Sequence, residues 1–175
     1  LDVKDTKTLS LTTINAIPVI TNTAPEQAVT ICSGSKTGFL LKSDQTNTVF
    51  TWLAPTVSGA ITGSSAGTST APSPTIDQAL SITGTSAGTV TYVVTPDLAG
   101  CIGSPVNYVA TVEPIPVISP LSTVDICSGI VFNQTVSADV PNSTIAWTRA
   151  SVTNILPATG TGSNGTVSET LSNAG

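Results

Sequence analysis

Apolar and polar residues alternate with period two along much of this chain. The clearest run is 89–95, where Val90, Tyr92 and Val94 share one face and Thr89, Thr91 and Thr95 the other. Tyr108, Ala110 and Val112 alternate in the same way, and so do Leu9 and Leu11, with Ile14 close behind. The spacing predicts strands over residues 18–20, 28–32, 38–42, 48–54, 60–62, 75–82, 89–95 and 106–113. Gly, Ser and Pro separate them at intervals of roughly ten residues, the rhythm of an antiparallel sandwich. No helix is predicted. The Ser- and Thr-rich stretch 62–74 reads as a long surface loop, with a disordered linker as the alternative.

A longer regularity lies over the short one. Ile31-Cys32-Ser33-Gly34 is followed, twenty residues after its cysteine, by Trp52. Ile126-Cys127-Ser128-Gly129 is followed by Trp147 at the same interval, so motif and tryptophan both recur 95 residues on. Ile17-Pro18-Val19-Ile20 returns as Ile115-Pro116-Val117-Ile118, 98 residues on, and Leu80-Ser81 as Leu171-Ser172, 91 on. Offsets that change only in loops are what a fixed strand framework permits.

The chain is therefore expected to be all-β, built of tandem antiparallel β-sandwich repeats. Residues 1–16 read as the closing strand of a preceding repeat and 17–114 as one complete repeat. Residues 115–175 read as an incomplete second repeat, lacking the two strands that match 89–95 and 106–113. Such a gap leaves strand edges unpaired, so the natural polypeptide is expected to continue. The opening Leu1-Asp2-Val3-Lys4, with neither initiator methionine nor signal peptide, fits a mature or excised piece. The junction Glu113-Pro114-Ile115-Pro116 is short and restricted by its prolines, so a semi-rigid connection is expected.

Composition narrows the partners. Charged residues are only 9% and hydrophobic ones 39%, so Thr, Ser, Asn and Gln must supply the polar surface. The net charge is −5, and Lys4, Lys7, Lys36, Lys42 and Arg149 are scattered. Without clustered cations the chain is not expected to bind nucleic acid or an anionic membrane surface. No apolar run approaches the roughly 18 residues of a membrane span, so no membrane insertion is expected.

Three cysteines make an odd count. Cys32 and Cys101 both fall in the complete repeat, and the reading favours a disulfide between them. It would close a loop worth about 4 kcal/mol in the chain-entropy picture. Two reduced cysteines, one buried as a small hydrophobe, are the alternative. Cys127 holds the place of Cys32, and its partner would fall beyond the end of the chain. Trp52, Trp147 and Tyr92 read as core residues, with sugar stacking as the alternative for Trp52. The order Cys32, Trp52, Cys101 is immunoglobulin-like, but Cys101 lies several residues past the Val94 position where an immunoglobulin domain carries its second cysteine.

The set Ile31-Cys32-Ser33-Gly34, Thr51-Trp52, Gly59-Ala60-Ile61-Thr62-Gly63, Val90–Pro96, Gly100-Cys101 and Pro114-Ile115-Pro116 resembles the PKD-like repeats of Bacteroidota surface proteins. It is similar in particular to the giant SprB-type gliding-motility adhesins exported by type IX secretion. The Trp-Asp-Phe-Gly-Asp-Gly motif of typical PKD domains is absent, since Leu53-Ala54-Pro55 follows Trp52. The resemblance implies an extracellular filament at the cell surface. Its partners would be neighbouring repeats of the same polypeptide, the secretion and gliding machinery, and a surface or glycan that the residues do not identify.

Chemistry is sparse. The chain has no histidine, and its ten acids form no motif, so no enzyme and no cofactor are expected. No glycine-rich phosphate loop is present. A junction calcium site using Glu113 and Asp125, with Glu26 at the earlier junction, is weighed against plain solvated acids. Asn133-Gln134-Thr135, Asn142-Ser143-Thr144 and Asn164-Gly165-Thr166 fit the glycosylation sequon and read as polar loop residues in a bacterial protein. The leading expectation is a structural and adhesive repeat segment. The others are a spacer or carbohydrate-binding accessory module of a secreted enzyme, and a polymerising subunit whose missing strand comes from a neighbour.

Overall fold

The computed structural model describes residues 14–70, 72–119 and 123–175. The strand expected around Leu9 and Leu11 lies outside them. The described chain is all-β, with a single turn of 3-10 helix at Ala24–Gln27. It divides into two compact units. Unit 1 takes in the described residues up to Ile82 together with Gly88–Val112, and unit 2 takes in Thr83–Ala87 and Glu113–Gly175.

The strands of unit 1 are β1 (Ala28–Cys32), β2 (Phe39–Leu40), β3 (Val49–Trp52), β4 (Thr56–Ser58), β5 (Ile61–Thr62), β6 (Gly67–Thr70), β7 (Thr75–Ile76), β8 (Ser81–Ile82), β9 (Gly88–Leu98), β10 (Cys101–Ile102) and β11 (Val106–Glu113). One sheet has the order β1-β11-β9-β3-β6, with β4 and β10 also paired to β9. The pairs β2–β7 and β5–β8 face it across the core. Phe39 on β2 meets Tyr108 and Tyr92 edge-on, with ring centroids 5.3 and 6.3 Å apart, the offset geometry aromatic rings prefer.

Strand β9 shows why the sequence folds this way. Val90, Tyr92 and Val94 are fully buried, while Val93 between them is 47% exposed. Its neighbour β11 buries Tyr108, Ala110 and Val112, in register with Tyr92, Val90 and Gly88. Pro96 is tolerated in so long a strand because the ladder to β11 has already ended at Val94. The stretch 62–74, expected as a loop, instead contains β6, paired along its length with β3. The predicted strand at 18–20 is reduced to one bridge, Ile20 to Ser43.

Unit 2 holds β12 (Ile130–Thr135), β13 (Ala146–Arg149), β14 (Ile155–Leu156), β15 (Gly160–Ser163) and β16 (Thr166–Asn173). They form one sheet ordered β12-β16-β14 and a pair β13–β15. Many contacts of unit 1 recur here at equivalent positions. Trp52 stands opposite Gly67 on β6, and Trp147 opposite Gly162 on β15. The Asp44 carboxylate accepts the Val19 N–H at 2.7 Å, and that of Asp139 accepts the Val117 N–H at 2.7 Å. Phe39 pairs with Ile76, and Gln134 with Val167. The left-handed residues match as well: Gly34 and Gly129, Asn47 and Asn142, Gly59 and Asn154.

The fall in offset from 95 to 91 has a definite place. Strands β15 and β16 are joined by Asn164-Gly165, both at positive φ, which makes the tight hairpin this dipeptide favours. In unit 1 a longer connection, between Thr70 and Thr75, spans the same gap.

Candidate functional site

The repeated Ile-Cys-Ser-Gly motif builds a turn. The Ser35 N–H donates to the Cys32 carbonyl at 3.0 Å across Gly34, whose φ of +87° is what position three of a type II turn requires. The Gly34 N–H then donates to the Leu80 carbonyl at 2.7 Å, and the Ser33 hydroxyl accepts the Ile82 N–H at 3.0 Å. Unit 2 repeats all three bonds: Ile130 N–H to the Cys127 carbonyl at 3.2 Å, Gly129 N–H to the Leu171 carbonyl at 2.8 Å, and Asn173 N–H to the Ser128 hydroxyl at 2.9 Å. The motif ties a turn to a distant strand end and leaves the cysteine side chain outside.

The expected Cys32–Cys101 disulfide is corrected by this geometry. All three cysteines are free thiols, Cys32 and Cys127 exposed and Cys101 half-buried. Cys32 adjoins Ser33, which bonds Ile82, and Ile82 packs at Gly88, the start of β9. Cys101 pairs with Leu98, at the end of β9. Eleven residues of strand hold those ends roughly 30 Å apart at about 3.3 Å per residue. A disulfide needs Cα atoms within about 7 Å.

Trp52 lies in the core at 6% exposure, its indole N–H donating to the Ser65 carbonyl at 3.0 Å. Tyr92 is fully buried, and its hydroxyl donates to Gln78 Oε1 at 3.0 Å. Gln78 returns its amide to the Ser65 carbonyl at 2.9 Å, so tryptophan, tyrosine and loop share one network. The Tyr108 hydroxyl donates to Asn22 Oδ1 at 2.7 Å. Burial pushes both phenols up to about 12, and the Glu26 charge adds to the rise at Tyr108.

The acids weighed for calcium are dispersed. Glu26 accepts the Thr23 N–H at 2.8 Å and pairs with Lys42, whose hydrogen bond is the main reason its carboxyl lies below the usual range. Among the described residues, no three of His, Cys, Asp and Glu gather within reach of one metal ion.

Unit 2 has an open apolar face, where the sequence reading expected unpaired strand edges and a buried Trp147. Trp147, Phe132, Val167, Leu171, Ile126 and Val124 line a groove of about 360 Å³, edged by the ion pair Arg149–Glu169. Trp147, Phe132, Ile126 and Leu171 are only half-buried, and Val124 is 46% exposed. In unit 1 the equivalent Trp52, Ile76 and Leu80 are buried under β9 and β11.

A profile of the PKD-like domain matches residues 29–116, just over half of the chain. The chain belongs to the PKD-like domain family. No curated protein matches it. The family points to an extracellular structural or adhesive module. Among the described residues, no helix is long and apolar enough to cross a membrane.

Proposed function

We propose that this chain is a structural and adhesive segment of a large extracellular filament on a bacterial surface, made of tandem PKD-like modules. The observation that carries the reading is the paired set of contacts in the two units. Turn bonds, Asp-to-backbone bonds and Trp–Gly pairings recur at matching positions. A module copied along a chain reproduces such local geometry, whereas a catalytic domain varies the loops that carry its chemistry.

The likeness to gliding-motility adhesins and type IX secretion, a cell-surface location, and the absence of catalysis and of a resident cofactor belong to the same proposal. Its test is the parent polypeptide. Many further copies of Ile-Cys-Ser-Gly spaced near one hundred residues, together with antibody labelling of unpermeabilised cells, are the expected result. A parent with a catalytic domain and only these two copies overturns it.

A further inference from the structure

Each unit has a cavity, and the two fall at matching positions. In unit 1 a cavity of about 480 Å³ lies between the loop 43–48 and the connection from β6 to β7, with Leu41 and Phe50 at its base. In unit 2 one of about 560 Å³ lies between the loop 138–143 and the β15–β16 hairpin, with Val136 and Ile145 at its base. Loop and base correspond at the 95-residue offset. The same bond closes both: Leu41 N–H to the Pro74 carbonyl at 2.8 Å, and Val136 N–H to the Gly165 carbonyl at 2.6 Å. Unit 1 has β9 and β11 in place and has the cavity all the same, so the cavity does not depend on the open face of unit 2.

The loop is held at both ends. Asp44 and Asp139 tie its start to the Val19 and Val117 amides. At its end the Thr48 hydroxyl donates to the Gln45 carbonyl at 2.9 Å, and the Ser143 hydroxyl to the Val140 carbonyl at 2.8 Å. Between these ties stand Asn47 and Asn142, both at φ +61°, both exposed and both lining their cavities. Neither side-chain amide has a hydrogen-bond partner among the described residues. A loop already held loses little freedom on binding, and a free amide offers two donors and an acceptor.

The lining has no spare charge. In unit 2 none of its residues is charged. In unit 1 Lys42 is paired with Glu26, and the Asp44 carboxylate takes the Val19 N–H and the Gln45 amide. Amides and hydroxyls around an apolar base suit a neutral ligand that carries both hydroxyl groups and C–H faces. We infer that this cavity is a binding site for a neutral saccharide, one in each unit. The Asn47 and Asn142 amides bond the sugar hydroxyls, and the apolar base covers a C–H face. The inference rests on the adhesive reading proposed above and gives it a site.

The test titrates the whole 175-residue chain with a panel of neutral disaccharides of glucose, galactose, mannose and N-acetylglucosamine, while its amide signals are recorded. Saturable shifts at 43–48 and at 138–143 are expected with the same sugar. Asn47→Gly combined with Asn142→Gly removes both amides and leaves the left-handed backbone unstrained. It is expected to weaken binding about tenfold, because a hydrogen bond to the ligand is lost in each unit. The Leu41 and Val136 amides should stay protected in that variant, which separates lost binding from a lost loop. No saturable shift with any sugar of the panel overturns the inference, and so does binding that the double variant leaves unchanged. Shifts that appear only with galacturonate, a charged sugar, overturn it as well. The filament reading fails separately, on a parent polypeptide without further copies of Ile-Cys-Ser-Gly, whatever the sugars do.

Discussion

Unit 1 and unit 2 use the same turns, the same Asp-to-backbone bonds and the same Trp–Gly pairing, yet only unit 1 has a closed core. Tyr92, Tyr108, Ile76 and Leu80 reach complete burial there, while Leu171, the counterpart of Leu80, stays half-exposed. The difference is the presence of β9 and β11. Local geometry follows from residues close to the turn, through glycine at positive φ and short hydrogen bonds. Burial follows from strands that arrive later in the chain. The turn geometry therefore does not depend on a closed core.

The comparison breaks most sharply at the matched leucines. Leu80→Ala is expected to cost unit 1 about 2–5 kcal/mol, the range for a leucine deleted from a packed core. Leu171→Ala removes the same atoms from a half-exposed site and is expected to cost unit 2 under about 1.5 kcal/mol, since little transfer or cavity term remains. Urea denaturation followed by amide signals from each unit separates the two. Equal costs would mean that the face of unit 2 is covered.

The glycines opposite the tryptophans come next. A Cβ on Gly67 would sit 2.6 Å from Trp52 Cζ2, and one on Gly162 would sit 2.6 Å from Trp147 Nε1. Trp52 is locked in the core and cannot yield, so Gly67→Ala is expected to cost about 1–3 kcal/mol by overpacking. Trp147 has an open side to move into. Gly162→Ala is expected to cost less and to shift tryptophan emission to the red as the indole swings outward.

These glycines also mark the limit of what the sequence could show. The alternation at 89–95 and 106–113 was plain because Val, Tyr and Ala take every second place, and the central strands β9 and β11 formed there. Strand β6, Gly67-Thr68-Ser69-Thr70, has no apolar alternation; pairing to β3 makes it a strand. One signal was present: a glycine lies fifteen residues after each tryptophan. The disulfide failed for a different reason. Spacing along a chain says how long a loop is, and cannot say that its two ends lie at opposite ends of an eleven-residue strand. Trp147, expected in the core, is only half-buried because its burial depends on strands that unit 2 does not pair with.

Alkaline pH sharpens the contrast through tyrosine, which occurs only at 92 and 108. Both phenols are raised to about 12 in the fold, against about 10 in the unfolded chain. Between those values the folded state keeps protons that the unfolded state has lost. The stability they support is complete below about pH 10 and falls as pH rises through about 12. Unit 1 is expected to weaken across that window while unit 2, with no tyrosine, does not weaken by this route. Phenolate absorbance should appear together with the loss of protected amides in unit 1. Ionisation near pH 10 with those amides still protected would count against the burial.

The smallest effect belongs to the feature the units share most closely. Asp44 and Asp139 each accept a backbone N–H at 2.7 Å, from Val19 and Val117, and each returns its own N–H to the carbonyl of the same residue, at 3.1 and 3.0 Å. Asp44→Ala and Asp139→Ala are each expected to strip exchange protection from the one valine amide and to leave the remaining core amides unchanged. The Val19 bond is the main reason the Asp44 carboxyl lies below its usual range. Its contribution is therefore present above the ordinary aspartate value and fades as pH falls through the lowered one. Protection of Val19 should persist in mild acid and vanish only below the usual carboxylate midpoint. Because this clasp sits outside the core in both units, the two alanine variants should behave alike; a large effect in one unit alone would separate the segment around that valine from its twin.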